Sequence, residues 1–430
     1  MTREADLPAR LMERIRRRGP LPFDEWMEAA LYDPDGGFFS LAGAAFSPGG
    51  AGRVGGDFLT SVEVGSLFGT LMARAVDGWW DQLARPDPFL VVDAGAGRGQ
   101  LARGVLRAAP RCGPALRYVL VERSAGLRAA QAEHLPLEPA ELVLGPAVPP
   151  EPDEEPVAVP GSGPMVTALE ELPAGPAIGV VIANELADNL PFRIVERTAG
   201  GWNEIRIAEA STAAPLSRST AHVTVERDSE NEGSAGGTID SPPPSVHRFS
   251  EIALPAEDGL IALADRLVAG HDIPVGARLP VPTALSDWLR SAAAMLRRGV
   301  IIILDYCAPA DELAARGQDG WLRTYRAQRR GGSPLDAPGS QDITADVPVE
   351  GLRRAAAGAG LSVLGEMTQA EWLRSLGVDE LVEQARAAWH GRAVTDLAAI
   401  AARSRVHEAD ALLDPAGLGA HRVTILGKRL

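Results

Sequence analysis

The chain has 430 residues, a hydrophobic content of 46%, a formal net charge of −15 at pH 7 and a pI of about 5.0. That length exceeds one average domain and carries enough apolar residues for a sizeable core. The acidic balance argues against a nucleic-acid partner, because phosphate backbones are bound by clustered Lys and Arg, and it suits a basic peptide or protein.

Two cysteines, Cys112 and Cys307, exclude a disulfide framework and a cysteine-rich zinc site. The seven histidines are scattered without metal-ligand spacing, so no structural metal is expected. The longest strongly apolar run, Val300 to Leu304, falls far short of the ~18 residues of a membrane span. The arginines near the N-terminus (Arg10, Arg14, Arg16, Arg17, Arg18) hint at a transit peptide, but Glu4, Asp6 and Glu13 interleave with them. The expectation is a cytoplasmic chain.

Residues 7–31 carry apolar residues at helical spacing, and Gly19-Pro20 divides them into two helices. A turn with aromatic flanks follows at Leu31–Phe39, then a Gly/Ala-rich, mobile stretch over 41–56. The polar residues Asp57, Thr60, Ser61 and Glu63 precede a helix of about 63–84. On spacing alone they read as an N-cap, with Ser61 capping and Glu63 near the positive helix end.

Phe89-Leu90-Val91-Val92 runs into Asp93, and glycines follow at 95, 97 and 99 before the amphipathic segment opened by Leu101 and Val105. This is buried strand, tight turn and helix, the first unit of a parallel α/β sheet. In such sheets ligands bind beyond the carboxyl ends of the strands. The dinucleotide fingerprint would need Gly where Gln100 stands. Asp93 would repel a pyrophosphate but suits a cation such as S-adenosylmethionine (SAM); a nucleotide, or a plain glycine turn, remains open at this point. Tyr118-Val119-Leu120-Val121 ends in Glu122, placed to accept hydrogen bonds from ribose hydroxyls.

An acidic, proline-rich loop occupies Pro149–Pro156, and a fourth strand runs over Ile178–Ala183. It ends in Asn184, Glu185 and Asp188, three polar side chains at a strand's carboxyl end. Phe192–Arg197 and Trp202–Ile207 form a hairpin across Ala199-Gly200-Gly201. Residues 208–250 are rich in Ser, Thr, Glu, Gly and Pro and read as a flexible insertion. Leu285–Leu296 is a helix, Val300–Tyr306 a fifth strand with Asp305 near its end, and 321–347 a long loop. Leu361–Leu364 and Arg422–Leu426 are the last strands, separated by a helical segment of about 368–413.

Together these motifs resemble the class I SAM-dependent methyltransferases of the MidA-like family, which has protein-arginine methyltransferase members. The likeness is carried by Ala30-Leu31-Tyr32 with Gly37-Phe38-Phe39, Gly56-Asp57-Phe58-Leu59-Thr60-Ser61, Asp93–Gly99, and Asn184-Glu185 with Asp188, Leu190 and Pro191. It extends through Leu304-Asp305-Tyr306, Thr324-Tyr325-Arg326 and Gln341-Asp342-Ile343-Thr344. Val62, Asp93, Asn189 and Asp346 depart from the pattern, which usually has Pro, Glu, Ala and His there.

The resemblance implies an α/β fold: a Rossmann-like seven-stranded methyltransferase sheet, its last strand antiparallel, with an N-terminal helical region and an inserted helical/β lobe. The expected divisions are an N-terminal region over 1–54, a SAM-binding core over 55–207, the insertion over 208–250, and the rest of the core over 251–430. SAM is the implied cofactor, held by Asp93, Gly95, Gly97, Gly99, Glu122, Asp57, Thr60 and Ser61. Asp305 and Tyr306 line the same cleft. The implied acceptor is a protein arginine, and a homodimer is possible to this class. Arginine's guanidinium has a pKa above ~12 and no free lone pair, so Glu185 and Asp188 would hold and deprotonate it, with Asn184 as orienter. Two alternatives stay open: a SAM-binding assembly factor with little turnover, and a small-molecule methyltransferase.

Overall fold

The computed structural model describes residues 6–45, 60–145, 163–210, 248–326, 329–390 and 396–430. Asp57, the acidic loop 149–156 and nearly all of the insertion expected at 208–250 lie outside these residues.

A seven-stranded sheet forms the centre. Its strands are β1 (Phe89–Ala94), β2 (Leu116–Val121), β3 (Met165–Leu169), β4 (Ala177–Asn184), β5 (Leu296–Asp305), β6 (Ser362–Thr368) and β7 (Arg422–Lys428), in the spatial order β6-β7-β5-β4-β1-β2-β3. The β4–β1, β1–β2, β2–β3 and β5–β4 pairs are parallel, whereas β7 runs antiparallel to both β5 and β6. Strand order therefore reverses between β1 and β4, and the ends of those two strands frame a cleft.

The central strands β1, β2, β4 and β5 are near-continuous apolar runs because both faces are covered. On one face Val91, Leu120, Ile182 and Ile302 pack against helices Ser66–Gln82, Gln100–Arg107, Val378–Trp389 and Leu397–Leu413. On the other, Val92, Val119, Val181 and Ile301 pack against helices Thr283–Met295 and Val349–Gly358. Alternate residues of one strand thus feed two separate cores.

A second lobe has its own core. Helices Leu7–Arg18 and Phe23–Tyr32 pack with a five-stranded antiparallel sheet made from Leu21–Pro22, Arg193–Thr198, Gly201–Glu209, Phe249–Pro255 and Arg278–Val281. Trp26 is fully buried there, and its indole N–H donates to the Pro334 carbonyl at 3.2 Å. The hairpin read around Ala199-Gly200-Gly201 forms the middle of this sheet.

Three local readings are corrected. Residues 41–45, expected to be mobile, complete the helix Phe38–Ala45. The stretch 321–347, expected to be a loop, contains Leu322–Arg326, Arg329–Arg330 and Asp342–Ala345, which pair as a small antiparallel sheet. Its polarity hid the strands, because Thr324 and Thr344 are buried polar residues. Ser61 does not cap the next helix, which begins at Ser66 after Gly65. The cap comes from Glu408, whose Oε2 accepts the Leu67 N–H at 2.8 Å; a side chain at Gly65 would collide with that carboxylate, 2.2 Å from its carbon. A partner 341 residues away along the chain leaves no local trace.

The helix behind the glycine loop is set by an unusually close crossing. A Cβ on Gly69 would stand 2.5 Å from the Gly104 Cα, so helices Ser66–Gln82 and Gln100–Arg107 touch backbone to backbone. Gly69→Ala is expected to push the helices apart and cost about 1–3 kcal/mol, the usual scale of overpacking. Urea unfolding with an unchanged slope measures it, and a midpoint equal to that of the unsubstituted chain would refute the crossing.

Candidate functional site

The cleft is built on carboxylates delivered by strand ends. β1 carries Asp93, 3% exposed, within 3.4 Å of the donating Tyr118 hydroxyl. Burial, reinforced by the neighbouring Glu122 charge, raises its carboxyl to about 7 against the pull of Tyr118. The chain then turns through Gly95, Gly97 and Gly99 at φ +72°, +53° and +79°, conformations that L side chains rarely adopt. A Cβ on Gly95 would stand 3.0 Å from Leu186, so the glycine loop lies directly against the turn after β4. A Cβ on Gly97 would meet nothing within 4 Å among the described residues, which leave open space beside the backbone there.

Glu122, at the end of β2, reaches back to this loop. Its Oε2 accepts the Gly97 N–H at 2.9 Å and its Oε1 the Ser124 N–H at 2.8 Å, while burial raises its carboxyl above the usual range. Gln131 completes the frame by donating to the Gly97 carbonyl at 2.7 Å. An acid at this place was legible in the sequence; its bond to the glycine loop was not.

β4 delivers the other wall. Glu185 has a positive φ of 52°, and its N–H donates to the Leu304 carbonyl at 2.8 Å. Its Oε1 accepts the Ser61 N–H at 3.2 Å and the Asn184 amide at 3.3 Å. Among the described residues its Oε2 is buried without a hydrogen-bond partner, as are Asn184 Oδ1 and Asp188 Oδ1. The structure thus brings Asn184, Glu185, Asp188 and Ser61 together. The Ser61 hydroxyl itself points away and donates to Gln369 Oε1 at 2.9 Å. Thr60, partly exposed, holds the Glu63 N–H through its carbonyl at 3.0 Å.

Asp305, fully buried at the end of β5, does not present its carboxylate to open space. Oδ2 accepts the N–H groups of Ala187 (2.7 Å) and Asp188 (3.3 Å), and Oδ1 that of Tyr306 (2.8 Å). The Tyr306 ring lies 4.0 Å from that of His421, and the Arg323 guanidinium sits 5.0 Å from its centre. Arg323 is paired to Asp346, which also accepts from Arg316 at 2.7 Å. His421 is 3% exposed, and burial with the Arg323 charge lowers it to about 4, so the ring is neutral. Arg323, His421 and the fixed geometry of Asp305 were missed from sequence. Thr324-Tyr325-Arg326 marked the segment next to Arg323 as part of the resemblance, whereas His421 had no flag.

Burial is the first cause of every upward carboxyl shift here. It holds Glu185 at about 8, with the Asp305 charge adding to it, and Asp305 and Asp342 at about 7. Asp188 is raised well above its usual range by burial and then by Asp305, Asp342 and Glu185, with Arg323 opposing. The folded site therefore holds protons that the unfolded chain releases near pH 4, and stability falls as pH rises through the folded values. The melting temperature is expected to drop between pH 6 and pH 9, and Glu185→Gln to flatten that slope. Calorimetric scans across this range that are level or rising would contradict the buried-acid site.

Comparison with known proteins identifies the family. A family model described as "Putative S-adenosyl-L-methionine-dependent methyltransferase" matches residues 71–367. A protein from Burkholderia thailandensis, solved bound to S-adenosyl-homocysteine, is 26% identical with a TM-score of 0.72, over 98% of this chain and 92% of that one. The mitochondrial protein arginine methyltransferase NDUFAF7 homolog of Drosophila melanogaster is 26% identical over 88% of this chain and 76% of its own length. The human mitochondrial protein arginine methyltransferase NDUFAF7 is 26% identical over 86% and 73%. These mitochondrial relatives overturn the cytoplasmic expectation. Among the described residues, no helix is long and apolar enough to cross a membrane.

Proposed function

Because the chain belongs to the family of S-adenosyl-L-methionine-dependent methyltransferases, we propose that its methyl acceptor is the guanidinium of an arginine in a protein. The observation that carries this reading is the set of buried oxygens on Asn184, Glu185 and Asp188 that have no hydrogen-bond partner among the described residues. Three acceptors crowded at one turn, two of them on acids, leave the free protein under-satisfied. A guanidinium offers five N–H donors and a positive charge in one plane, which matches that deficit. The naming of several relatives as protein arginine methyltransferases supports the same reading.

The residues at the β1 and β2 ends fit the cofactor on structural grounds. The open space beside Gly97 admits a ligand to the backbone, Asp93 offers a carboxylate to a cation, and Glu122 retains acceptor capacity toward hydroxyls. When bound, the cofactor supplies an activated methyl group on a sulfonium. The chain's own part is to hold the acceptor in line with it in a water-poor cleft. Glu185 and Asp188 pair with the guanidinium and take up the proton released on transfer, and Asn184 fixes the orientation.

Radiolabelled methyl transfer into lysate and arginine-containing peptides, followed by hydrolysis to amino acids, tests the acceptor; label recovered as methylarginine is the expected result. Label in a metabolite or another side chain would overturn it, and tight SAM binding with no transfer would favour an assembly factor. Glu185→Gln is expected to slow transfer by about 10²-fold or more, with S-adenosyl-homocysteine affinity nearly unchanged by calorimetry. Since only the ionised Glu185 pairs with a cation, kcat/KM should climb with pH toward a plateau above about 8, and a profile falling over pH 6–8 would refute this. Glu122→Ala should instead weaken SAM by ~1–3 kcal/mol, the cost of unpaired hydroxyls.

A further inference from the structure

The turn that carries Asp188 spans only Ala187–Asn189. Its own bonds are few and long: Asn189 N–H to the Leu186 carbonyl at 3.2 Å and Leu190 N–H to the Ala187 carbonyl at 3.3 Å. A single 3₁₀ turn is too short to hold a shape alone, so its geometry is set from outside. On one side, Asp305 of the central sheet takes the Ala187 and Asp188 N–H groups. On the other side the ties come from the second lobe and the small sheet, and they converge on Asn189. Both amide hydrogens of Asn189 are used, one donated to Asp342 Oδ1 and one to the Ile343 carbonyl, each at 3.0 Å. The Asn189 carbonyl accepts the Tyr32 hydroxyl at 3.1 Å.

We propose that Asn189, Asp342 and Tyr32 form a clasp that fixes the direction of the Asp188 carboxylate, and that Asn189 and Asp342 are positioning residues for methyl transfer. The catalytic consequence rests on the functional reading above; the clasp itself does not. The amide cannot rotate without giving up one of two acceptors in a half-buried place, and one of those acceptors is the half-buried carboxylate of Asp342. Residue 188 is therefore pinned between a neighbour tied to the small sheet and a backbone tied to β5. Asp342 is a neighbouring charge to Asp188 rather than a ligand of it, so it acts through the turn. The resemblance noted above has Ala at position 189, which could make none of these side-chain bonds.

Four variants test this in the full-length chain: Asn189→Ala, Asp342→Ala, their combination, and Asp342→Asn, which keeps an acceptor for the Asn189 amide. Hydrogen exchange of the peptide covering 185–191, read without any acceptor present, should accelerate about tenfold or more in the two alanine variants. Their kcat should fall 10- to 100-fold, roughly the scale of a ~1 Å misplacement. Affinity for S-adenosyl-homocysteine should stay within about threefold. The double variant should be no worse than the poorer single, as expected of two halves of one interaction, and Asp342→Asn should recover most of the rate. Should Asn189→Ala fail to fold, Tyr32→Phe, which removes one hydroxyl, should still speed exchange of the same peptide. Wild-type exchange and kcat in Asn189→Ala, or losses that multiply in the double variant, would overturn the clasp. A wild-type chain that labels no arginine while the exchange pattern holds would leave the clasp standing and remove the arginine reading.

Discussion

The site depends on one arrangement: a fully buried carboxylate, Asp305, spent entirely on backbone N–H groups. Three of them, from Ala187, Asp188 and Tyr306, converge on its two oxygens. Charge-assisted bonds of this kind are the strong ones, and here they offset the cost of taking a carboxylate out of water. They also stop the strand-4 turn from relaxing into a geometry that would let Glu185 and Asp188 separate. Two acids that repel one another are held side by side because a third acid grips the chain between them. The parallel β5–β4 pair brings this about, since register places Leu304 beside Asn184 and so puts the two strand ends at one level.

The same logic explains the cofactor side. Glu122 could have faced solvent from the end of β2, but the glycine loop turns its Gly97 N–H toward it. The loop is then fixed from two strands, and Gly95 can press against Leu186. Through that contact the loop proposed for the cofactor and the turn proposed for the acceptor become neighbours. Methyl transfer demands such closeness, because the reacting atoms must meet at near-attack distance.

Much of this was legible in the sequence because it is written locally. Apolar runs closing in Asp93, Glu122 and Asp305, glycines at every second position, and Asn184-Glu185 after a strand each carry their meaning within a few residues. What was hidden is written across long separations or in polar strands. Glu408 capping a helix 341 residues away has no local signature. Asp342–Ala345 looked like loop because its polar side chains find partners only once folded: Asp342 meets Asn189, and the segment pairs in antiparallel register with Leu322–Tyr325. Asp305 was legible as a member of the cleft but not as its fastener, since orientation is a tertiary property. Polar residues mislead pattern reading where a fold buries them in pairs.

An acidic cleft that contains a resident arginine needs a reason why that arginine does not fill it. Arg323 is close enough to oppose the upward shift of Asp188, and it lies over the Tyr306 ring. Left free, its guanidinium would offer the acids the partner that the proposed acceptor offers. Asp346 removes that option: 5% exposed, it binds Arg323 through one oxygen and Arg316 through the other. A buried carboxylate with two guanidinium partners is well satisfied, whereas a move of Arg323 toward Asp188 would leave Asp346 with one. The small sheet, which pairs Arg323 with Thr344 in register, holds the backbone of that ion pair in place. Asp346, where the resemblance has His, thus keeps Arg323 off the cleft's carboxyl groups while Arg323 lends its field at a distance. The proposed acceptor would then meet acids that Arg323, already held by Asp346, does not occupy.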